Sequence, residues 1–144
     1  MQCREIMRER VATLPPDASL TEAAQRMKEF GCGMLPICST DGRVVGVLTD
    51  RDIVVRACAE GRSLDQTRVA EVMTRELVTC DASDSVQAAE DLLISHFKAR
   101  ILVTEAGRLA GVISLTDLAQ NEEPLRLARI VRHVSSRAYR VEHH

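Results

Sequence analysis

A chain of 144 residues with 45% hydrophobic and 28% charged residues has an ordinary globular composition, long enough for one domain or two small interlocked halves. The net charge of −2, with one Tyr, two Phe and no Trp, argues against a basic nucleic-acid surface and against an aromatic platform for stacking bases. No apolar run reaches membrane-spanning length, and the charged start MQCREIMRER lacks the apolar stretch of a secretory signal, so a cytoplasmic location is expected.

The five cysteines are predicted to be reduced thiols. None belongs to a C-x-x-C pair, and an odd number in a chain without a secretory signal is typical of a reducing compartment. Cys32 and Cys38 are close in sequence, but no histidine or second cysteine pair completes a set of metal ligands beside them. We therefore expect neither a disulfide nor a metal site.

The first part of the chain predicts a strand, a helix, two strands and a second helix. Ser19 and Glu22 form a capping box, and apolar residues at i, i+3, i+4 and i+7 give the first helix one apolar face. The predicted elements are strand 11–14, a helix after Ser19, strand 34–38, a turn at Asp41-Gly42, strand 44–48, and a helix from Thr49 to Gly61. The apolar face predicted for this second helix comprises Ile53, Val54, Ala57 and Cys58.

The same plan recurs in the second half of the chain. The segment from Gly107 to Leu118 matches the segment from Gly42 to Ile53 at a constant offset of 65 residues. Upstream the offset is 66, so one residue is missing from a loop, where such changes are tolerated. The second set of elements is strand 77–80, a helix with Val86, Ala89, Leu93, Ile94 and Phe97 on its apolar face, strand 101–104, a turn at Ala106-Gly107, strand 109–113, and a helix from Ser114.

Both repeats contain the motif G-h-h-[ST]-x-x-D, in which h is apolar, at the junction of a buried strand and a helix. The two copies are Gly46–Asp52 and Gly111–Asp117. Thr49 and Ser114 occupy the N-cap positions. Free backbone N–H groups and the helix dipole at such a position favour a phosphate.

The motif also supplies carboxylates. Asp52 and Asp117 lie in the first helical turn, and an ionised carboxylate offers two acceptor oxygens that suit the two hydroxyls of a ribose. Arg51 and Thr116 directly precede them and could donate to a phosphate. A single copy is well explained as an ordinary helix cap, whereas two copies in matched register favour a ligand site.

These features resemble those of tandem CBS-domain pairs, also called Bateman modules, over about residues 1–120. The two motif copies are the specific part of the resemblance, which extends to small bacterial proteins made only of this pair. Leu102 departs from the family pattern, which usually has proline there, and Lys98 and Arg100 add two positive charges nearby. The supporting marks are Glu5-Ile6-Met7, Glu71-Val72-Met73, Leu35-Pro36-Ile37 and Leu48–Val54.

The resemblance implies an α/β (α+β) fold in which two β-α-β-β-α repeats pack about a pseudo-twofold axis. It also implies a regulatory ligand containing adenosine (AMP, ADP, ATP or S-adenosylmethionine) in the cleft between the repeats. Ser114, Thr116 and Asp117 would then face Cys32, Gly33 and Met34, and Thr49, Arg51 and Asp52 would face Lys98, Ala99 and Arg100. Pairs of this kind usually form flat homodimers, and a closed twofold assembly is the commonest one for soluble proteins.

The predicted boundaries are repeat 1 at 1–61, a linker at 62–68, repeat 2 at 69–121 and a basic amphipathic helix at 122–140. The final Val-Glu-His-His, residues 141–144, is typical of the start of a purification tag, so we expect no functional role for it.

The C-terminal helix is predicted to be capped by Asn121, with Pro124 in its first turn. An apolar stripe favours packing on the module or on a second copy, with the arginines in solvent. A membrane surface or an acidic partner is the alternative. The stripe is Leu127, Ile130, Val131 and Val134, and the basic residues are Arg126, Arg129, Arg132, Arg137 and Arg140.

The function predicted from these patterns is a non-catalytic sensor module that binds an adenosyl nucleotide, as in energy sensing, and regulates an unidentified protein. The alternative is a scaffold of the same fold that dimerises or docks a partner without a ligand. No nucleophile or acid–base constellation supports an enzyme. Neither nucleic acid nor a membrane is expected as a partner.

Overall fold

The computed structural model describes residues 1–96, 98–121 and 124–142, and of residues 136–142 it describes the backbone alone. The fold is mixed α+β, as the sequence predicts. The helices are α1 (Leu20–Phe30), α2 (Asp50–Asp52), α3 (Val86–His96), α4 (Leu115–Asn121) and α5 (Pro124–Glu142). The strands are β1 (Met34–Cys38), β2 (Val44–Thr49), β3 (Thr79–Asp81), β4 (Arg100–Glu105) and β5 (Arg108–Ser114). Two 3-10 turns cover Cys3–Glu5 and Val69–Glu71.

The chain divides into two compact units whose segments interleave along the sequence. Unit 1 comprises Met1–Glu9, Val78–Ala106 and Ala110–His144, and unit 2 comprises Arg10–Leu77 and Gly107–Leu109. We call the first residues of each sequence repeat, 1–9 in repeat 1 and 69–77 in repeat 2, its lead segment. Each lead segment belongs to the unit that is formed mainly by the other repeat.

Backbone pairing explains this interleaving. In unit 2, β1 and β2 are antiparallel, and Thr74, from the lead segment of repeat 2, bridges to Val47 on β2. In unit 1, β4 lies between β3 and β5, and Arg8, from the lead segment of repeat 1, bridges to Val112 on β5. Each motif-bearing strand is thus flanked by the lead segment of the other repeat.

The first strand of each repeat differs between the units, and proline is the reason. In unit 1, β3 pairs in parallel with β4, and the N–H of Leu102 donates to Val78 O at 3.4 Å. In unit 2, the predicted strand 11–14 is reduced to a single parallel bridge between Leu14 and Ile37. Pro36 occupies the position equivalent to Leu102 and has no N–H to donate, so the ladder does not extend.

The helix after β2 also departs from the regular helix that the sequence predicts. After α2 the chain widens into a π-helix over Ile53–Cys58, in which the N–H of Ala59 donates to Val54 O at 2.9 Å. Ile53 and Ala57 are buried, whereas Val54 and Cys58 are exposed, so half of the predicted apolar face is wrong. The wider turn rotates those side chains away from the core.

Each unit has its own aliphatic core. The core of unit 2 includes Leu20, Leu35, Ile37, Leu48 and Val69, all fully buried. The core of unit 1 includes Cys3, Leu93, Ile113, Leu118 and Ile130. Phe97, predicted on the apolar face of α3, lies outside the described residues.

The C-terminal helix packs on unit 1. Ile130 is buried in its core, and Leu127 and Val134 pack against it, whereas Val131 remains exposed. Arg126 Nη2 lies 2.8 Å from Glu90 Oε2, and the side chain of Glu90 is only 5% exposed. The side chains of Arg137 and Arg140 lie outside the described residues. The described part of the stripe therefore packs on unit 1, as the sequence favours, with Val131 as the exception.

Replacing Arg126 by methionine is expected to lower the free energy of unfolding by about 2 kcal/mol, because the buried carboxylate of Glu90 loses a charged partner. Chemical denaturation at neutral pH measures this loss. Arg129→Met is the control, since Arg129 is exposed on the same helix. Equal stability of the two variants would contradict a role for the Arg126–Glu90 pair in holding α5.

Candidate functional site

The first motif copy forms a complete capping box at the start of α2. The Thr49 hydroxyl oxygen accepts from the Asp52 N–H at 3.1 Å, and Asp52 Oδ2 accepts from the Thr49 N–H at 3.0 Å. These two bonds hold the Asp52 carboxylate beside the end of β2. The predicted cap is confirmed, and it uses only one of the two carboxylate oxygens.

The second copy has the same geometry at the start of α4. Asp117 Oδ2 accepts from the Ser114 N–H at 2.8 Å and from the Ser114 hydroxyl at 2.9 Å. The Asp117 N–H donates to Ser114 Oγ at 3.3 Å. Asp117 is buried, with 5% of its surface exposed, whereas Asp52 is partly exposed.

In both copies the second carboxylate oxygen faces a guanidinium group. Asp52 Oδ1 lies 3.8 Å from Arg56 Nε, one helical turn further on. Asp117 Oδ1 accepts from Arg8 Nε at 2.9 Å, across 109 residues of sequence. In each aspartate, therefore, Oδ2 accepts the hydrogen bonds of the helix cap, and Oδ1 lies near a guanidinium group outside the cap.

The glycine of each motif makes room for a lead segment. A Cβ placed on Gly46 would lie 2.5 Å from Met73 Sδ. A Cβ placed on Gly111 would lie 2.7 Å from the backbone oxygen of Arg8 and 2.9 Å from Met7 Sδ. Met7 and Met73 thus pack on the motif glycine of the other repeat. The segments Glu5-Ile6-Met7 and Glu71-Val72-Met73 are therefore in direct contact with the two motifs.

The other predicted site residues lie beside the motifs of their own units. The Asp50 N–H donates to Gly33 O at 2.9 Å, so the Cys32–Met34 turn adjoins the start of α2. The Leu115 N–H donates to Ala99 O at 3.1 Å, so the Lys98–Arg100 turn adjoins the start of α4. Arg51 and Thr116 are exposed. The family resemblance implies instead that each motif faces the turn of the other repeat. Both of these arrangements involve residues of the two units, and they stay predictions.

Sequence reasoning missed Arg8. It directly follows Met7, and the equivalent residue of repeat 2 is Thr74, so the arginine is specific to one repeat. The only feature of the sequence that pointed to Arg8 was its position directly after the segment Glu5-Ile6-Met7. Its significance depends on pairing across the chain, which the sequence pattern alone does not reveal.

A metal centre is not supported by the described residues. Among them, no group of three or more His, Cys, Asp or Glu side chains is placed to hold a metal ion. In the same described part of the chain, none of the helices is both long and apolar enough to span a membrane.

Two cysteines meet in the core of unit 1. Cys3 Sγ and Cys80 Sγ are 3.6 Å apart, and both residues are buried. Burial is the main cause that raises the pKa of Cys3 above its ordinary value and the pKa of Cys80 to about 12. Burial also raises the pKa of Cys38. These are protonated thiols at neutral pH, as expected for structural cysteines.

Stability is expected to fall at alkaline pH because the fold favours the protonated form of Cys80. The ordinary thiol pKa is about 8.5, so the stabilisation is complete below that pH and is lost as pH rises towards 12. Thermal melts from pH 8 to 11 should show a smaller fall in Tm for Cys80→Ala than for the parent protein. Cys58→Ala, at an exposed position, should behave as the parent does. Parallel curves for all three proteins would contradict this assignment.

Comparisons with known proteins identify the repeats. A family model described as CBS domain matches residues 3–57 and 69–122. The CBS domain-containing protein YhcV of Bacillus subtilis is 38% identical over 119 residues, which are 83% of this chain and 84% of that protein. The crystal structure of Hypoxic Response Protein I with two coordinated zinc ions has a TM-score of 0.78 at 33% identity, covering 85% of this chain and 100% of that one.

A more distant structure has the same fold with ligands bound. The CBS domain pair of protein MJ0100, in complex with 5′-methylthioadenosine and S-adenosyl-L-methionine, has a TM-score of 0.72. Its identity is 22%, and the match covers 83% of this chain and 94% of that one.

Proposed function

This chain belongs to the CBS-domain family, and we propose that it is a non-catalytic sensor module that binds an adenosine-containing ligand through its two motif aspartates. The ligand is AMP, ADP, ATP or S-adenosylmethionine, and no catalytic cofactor is involved. The compartment proposed is the cytoplasm. The regulated partner is another protein, neither nucleic acid nor a membrane.

One observation carries the proposal. In both repeats the aspartate closes its helix cap with Oδ2 alone and directs Oδ1 towards a polar partner. In each copy the second oxygen lies outside the hydrogen bonds of the cap, so it is an acceptor that a ribose hydroxyl could use in place of the guanidinium. The adenosyl ligands in the related fold of protein MJ0100 support the ligand class.

The ligand site proposed combines the motif residues with the turns that precede β1 and β4. The aspartates would accept from ribose hydroxyls, and the neighbouring hydroxyl and basic residues would donate to phosphate. Gly33 is included because the family resemblance implies it; a Cβ placed there would lie 2.8 Å from Asp50 Oδ2, so the missing side chain leaves room for that carboxylate. The proposed residues are Cys32, Gly33, Met34, Thr49, Arg51, Asp52, Lys98, Ala99, Arg100, Ser114, Thr116 and Asp117.

Analysis of the compounds released by denaturing the freshly purified protein tests this function. An adenosyl compound in near-stoichiometric amount is the expected result, and its loss from the Asp52→Asn/Asp117→Asn double variant would tie it to the motifs. Release of the same compounds by both proteins would contradict the assignment of the site.

A scaffold without a ligand is the second candidate, and one observation favours it. Both aspartates already have hydrogen-bonding or charged partners in the chain, and Asp117 is almost completely buried. In that case the carboxylates would only stabilise strand–helix junctions. The scaffold function predicts no adenosyl ligand and an unchanged oligomeric state in the double variant.

Under either function we expect a homodimer. Val54 and Val55 are 58% and 45% exposed on the π-helical segment, and adjacent exposed valines are well suited to a contact between copies. Sedimentation velocity should give a dimer for the parent protein and a monomer for Val54→Glu/Val55→Glu. Leu125→Glu introduces one such carboxylate at an 86% exposed residue of α5 and should leave the dimer intact. A monomeric parent protein at micromolar concentration would overturn this expectation.

A further inference from the structure

The Asp117 carboxylate is nearly saturated with hydrogen bonds before any ligand arrives. Oδ2 accepts two bonds from Ser114, and Oδ1 accepts one from Arg8 Nε at 2.9 Å. A carboxylate offers about four lone-pair sites, so roughly one remains. A ribose that used two hydroxyls here would have to displace the guanidinium of Arg8.

Arg8 is held in this position by its backbone. Its N–H donates to Val112 O at 2.9 Å, and the Val112 N–H donates to Arg8 O at 3.0 Å. The side chain is 64% exposed, while the side chain of its partner Asp117 is 6% exposed. The arginine therefore lies at the solvent side of the buried carboxylate, where an incoming ligand would meet it.

The first repeat lacks an equivalent group. Thr74 bridges to Val47 on β2 as Arg8 bridges to Val112 on β5, but threonine carries no charge. The basic group near Asp52 is Arg56 of the same helix, at 3.8 Å. An arginine supplied by a lead segment is thus a property of the Asp117 motif and is absent from the Asp52 motif.

Displacing Arg8 has different consequences for different ligands. A neutral nucleoside would take the Oδ1 acceptor and leave the guanidinium without an anionic partner. A nucleoside 5′-phosphate would take the same acceptor and offer phosphate oxygens on the same sugar, and guanidinium binds phosphate with paired, charge-assisted hydrogen bonds. Lys98 and Arg100 also adjoin the start of α4, and Arg8 is distinguished from them by its direct hydrogen bond to the Asp117 carboxylate.

We infer that Arg8 is a specificity-determining residue that makes the Asp117 motif selective for nucleoside 5′-phosphates over neutral adenosine derivatives. This inference rests on the proposed function, because it assigns the ligand class of the same site. Before binding, Arg8 neutralises Asp117; after binding, it pairs with the phosphate.

Calorimetric titration of AMP and adenosine into the parent protein, Arg8→Gln and Arg8→Lys tests the inference, with Asp52→Asn in every protein to isolate the Asp117 motif. The parent should prefer AMP by at least about tenfold. Arg8→Gln should lose most of that preference, with weaker AMP binding and equal or tighter adenosine binding. Arg8→Lys should be intermediate and more sensitive to salt, since lysine keeps the charge but loses the paired donors.

Arg4→Gln is the matched control, because Arg4 makes an exposed ion pair with Glu105 in the same lead segment. Its AMP-to-adenosine ratio should equal that of the parent, and thermal melts should show that all the variants are folded. An equal loss of both ligands in Arg8→Gln would make Arg8 merely structural, and an unchanged ratio would also overturn the inference. If Arg8→Gln fails to fold, an Arg8→Lys ratio and salt dependence equal to those of the parent would overturn it. Binding of neither ligand in the Asp52→Asn background would overturn the inference, whereas binding of no adenosyl ligand by the protein with both aspartates intact would refute the proposed function.

Discussion

Asp117→Asn is expected to weaken AMP binding by about 10- to 100-fold, the largest effect of any single change at the proposed site. The substitution keeps the shape of the side chain but replaces charge-assisted hydrogen bonds, worth about 1.5–3 kcal/mol each, with neutral ones worth about 0.5–1.5 kcal/mol. Isothermal titration calorimetry at fixed ionic strength measures the change directly.

Two controls make the Asp117 result interpretable. Asp91→Asn removes one negative charge from an exposed position on α3 and should leave AMP binding unchanged. Asp52→Asn tests the other motif, whose aspartate is more exposed and has a more distant cation. Equal affinity of the parent and Asp117→Asn would exclude Asp117 as a ligand contact, whatever else the protein binds.

Gly111→Ala is expected to lower the free energy of unfolding by about 2–4 kcal/mol, or Tm by roughly 10 °C. The added methyl group would lie 2.7 Å from the backbone oxygen of Arg8, which accepts the Val112 N–H at 3.0 Å. Backbone held by a paired bridge cannot move away without breaking its hydrogen bonds. The same change should also displace Arg8 from Asp117.

The equivalent glycine of repeat 1 provides the matched comparison. For a Cβ placed on Gly46, the three nearest atoms all belong to the Met73 side chain. Gly46→Ala should therefore be largely rescued by Met73→Ala, whereas Met7→Ala should rescue Gly111→Ala only partly. Double-mutant cycles from denaturant unfolding measure the two couplings. Complete rescue in both pairs would contradict the backbone clash proposed at Gly111.

The elements with strong local signals could be predicted from the sequence. The capping box at Ser19 and both motif caps join residues three positions apart, and the strand–turn–strand units join strands that are neighbours in sequence, so local chemistry determines them. The repeat itself followed from matched register. These features account for the fold class and for the position of both candidate aspartates.

Features that depend on distant residues could not be predicted in the same way. The single bridge at Leu14, in place of a strand, reflects the missing donor of Pro36. The exchange of lead segments depends on contacts between Met7 and Gly111 and between Met73 and Gly46. The ion pair of Arg8 with Asp117 depends on that exchange. It therefore cannot be predicted from the local sequence around either residue.

The most direct test of the central claim is equilibrium titration of the parent protein with AMP, ADP, ATP and S-adenosylmethionine, beside the Asp52→Asn/Asp117→Asn double variant. We expect saturable binding of at least one of these ligands by the parent, at one or two molecules per chain, and its loss in a folded double variant. Failure of the folded parent to bind any of the four, or equal binding by the double variant, would contradict it.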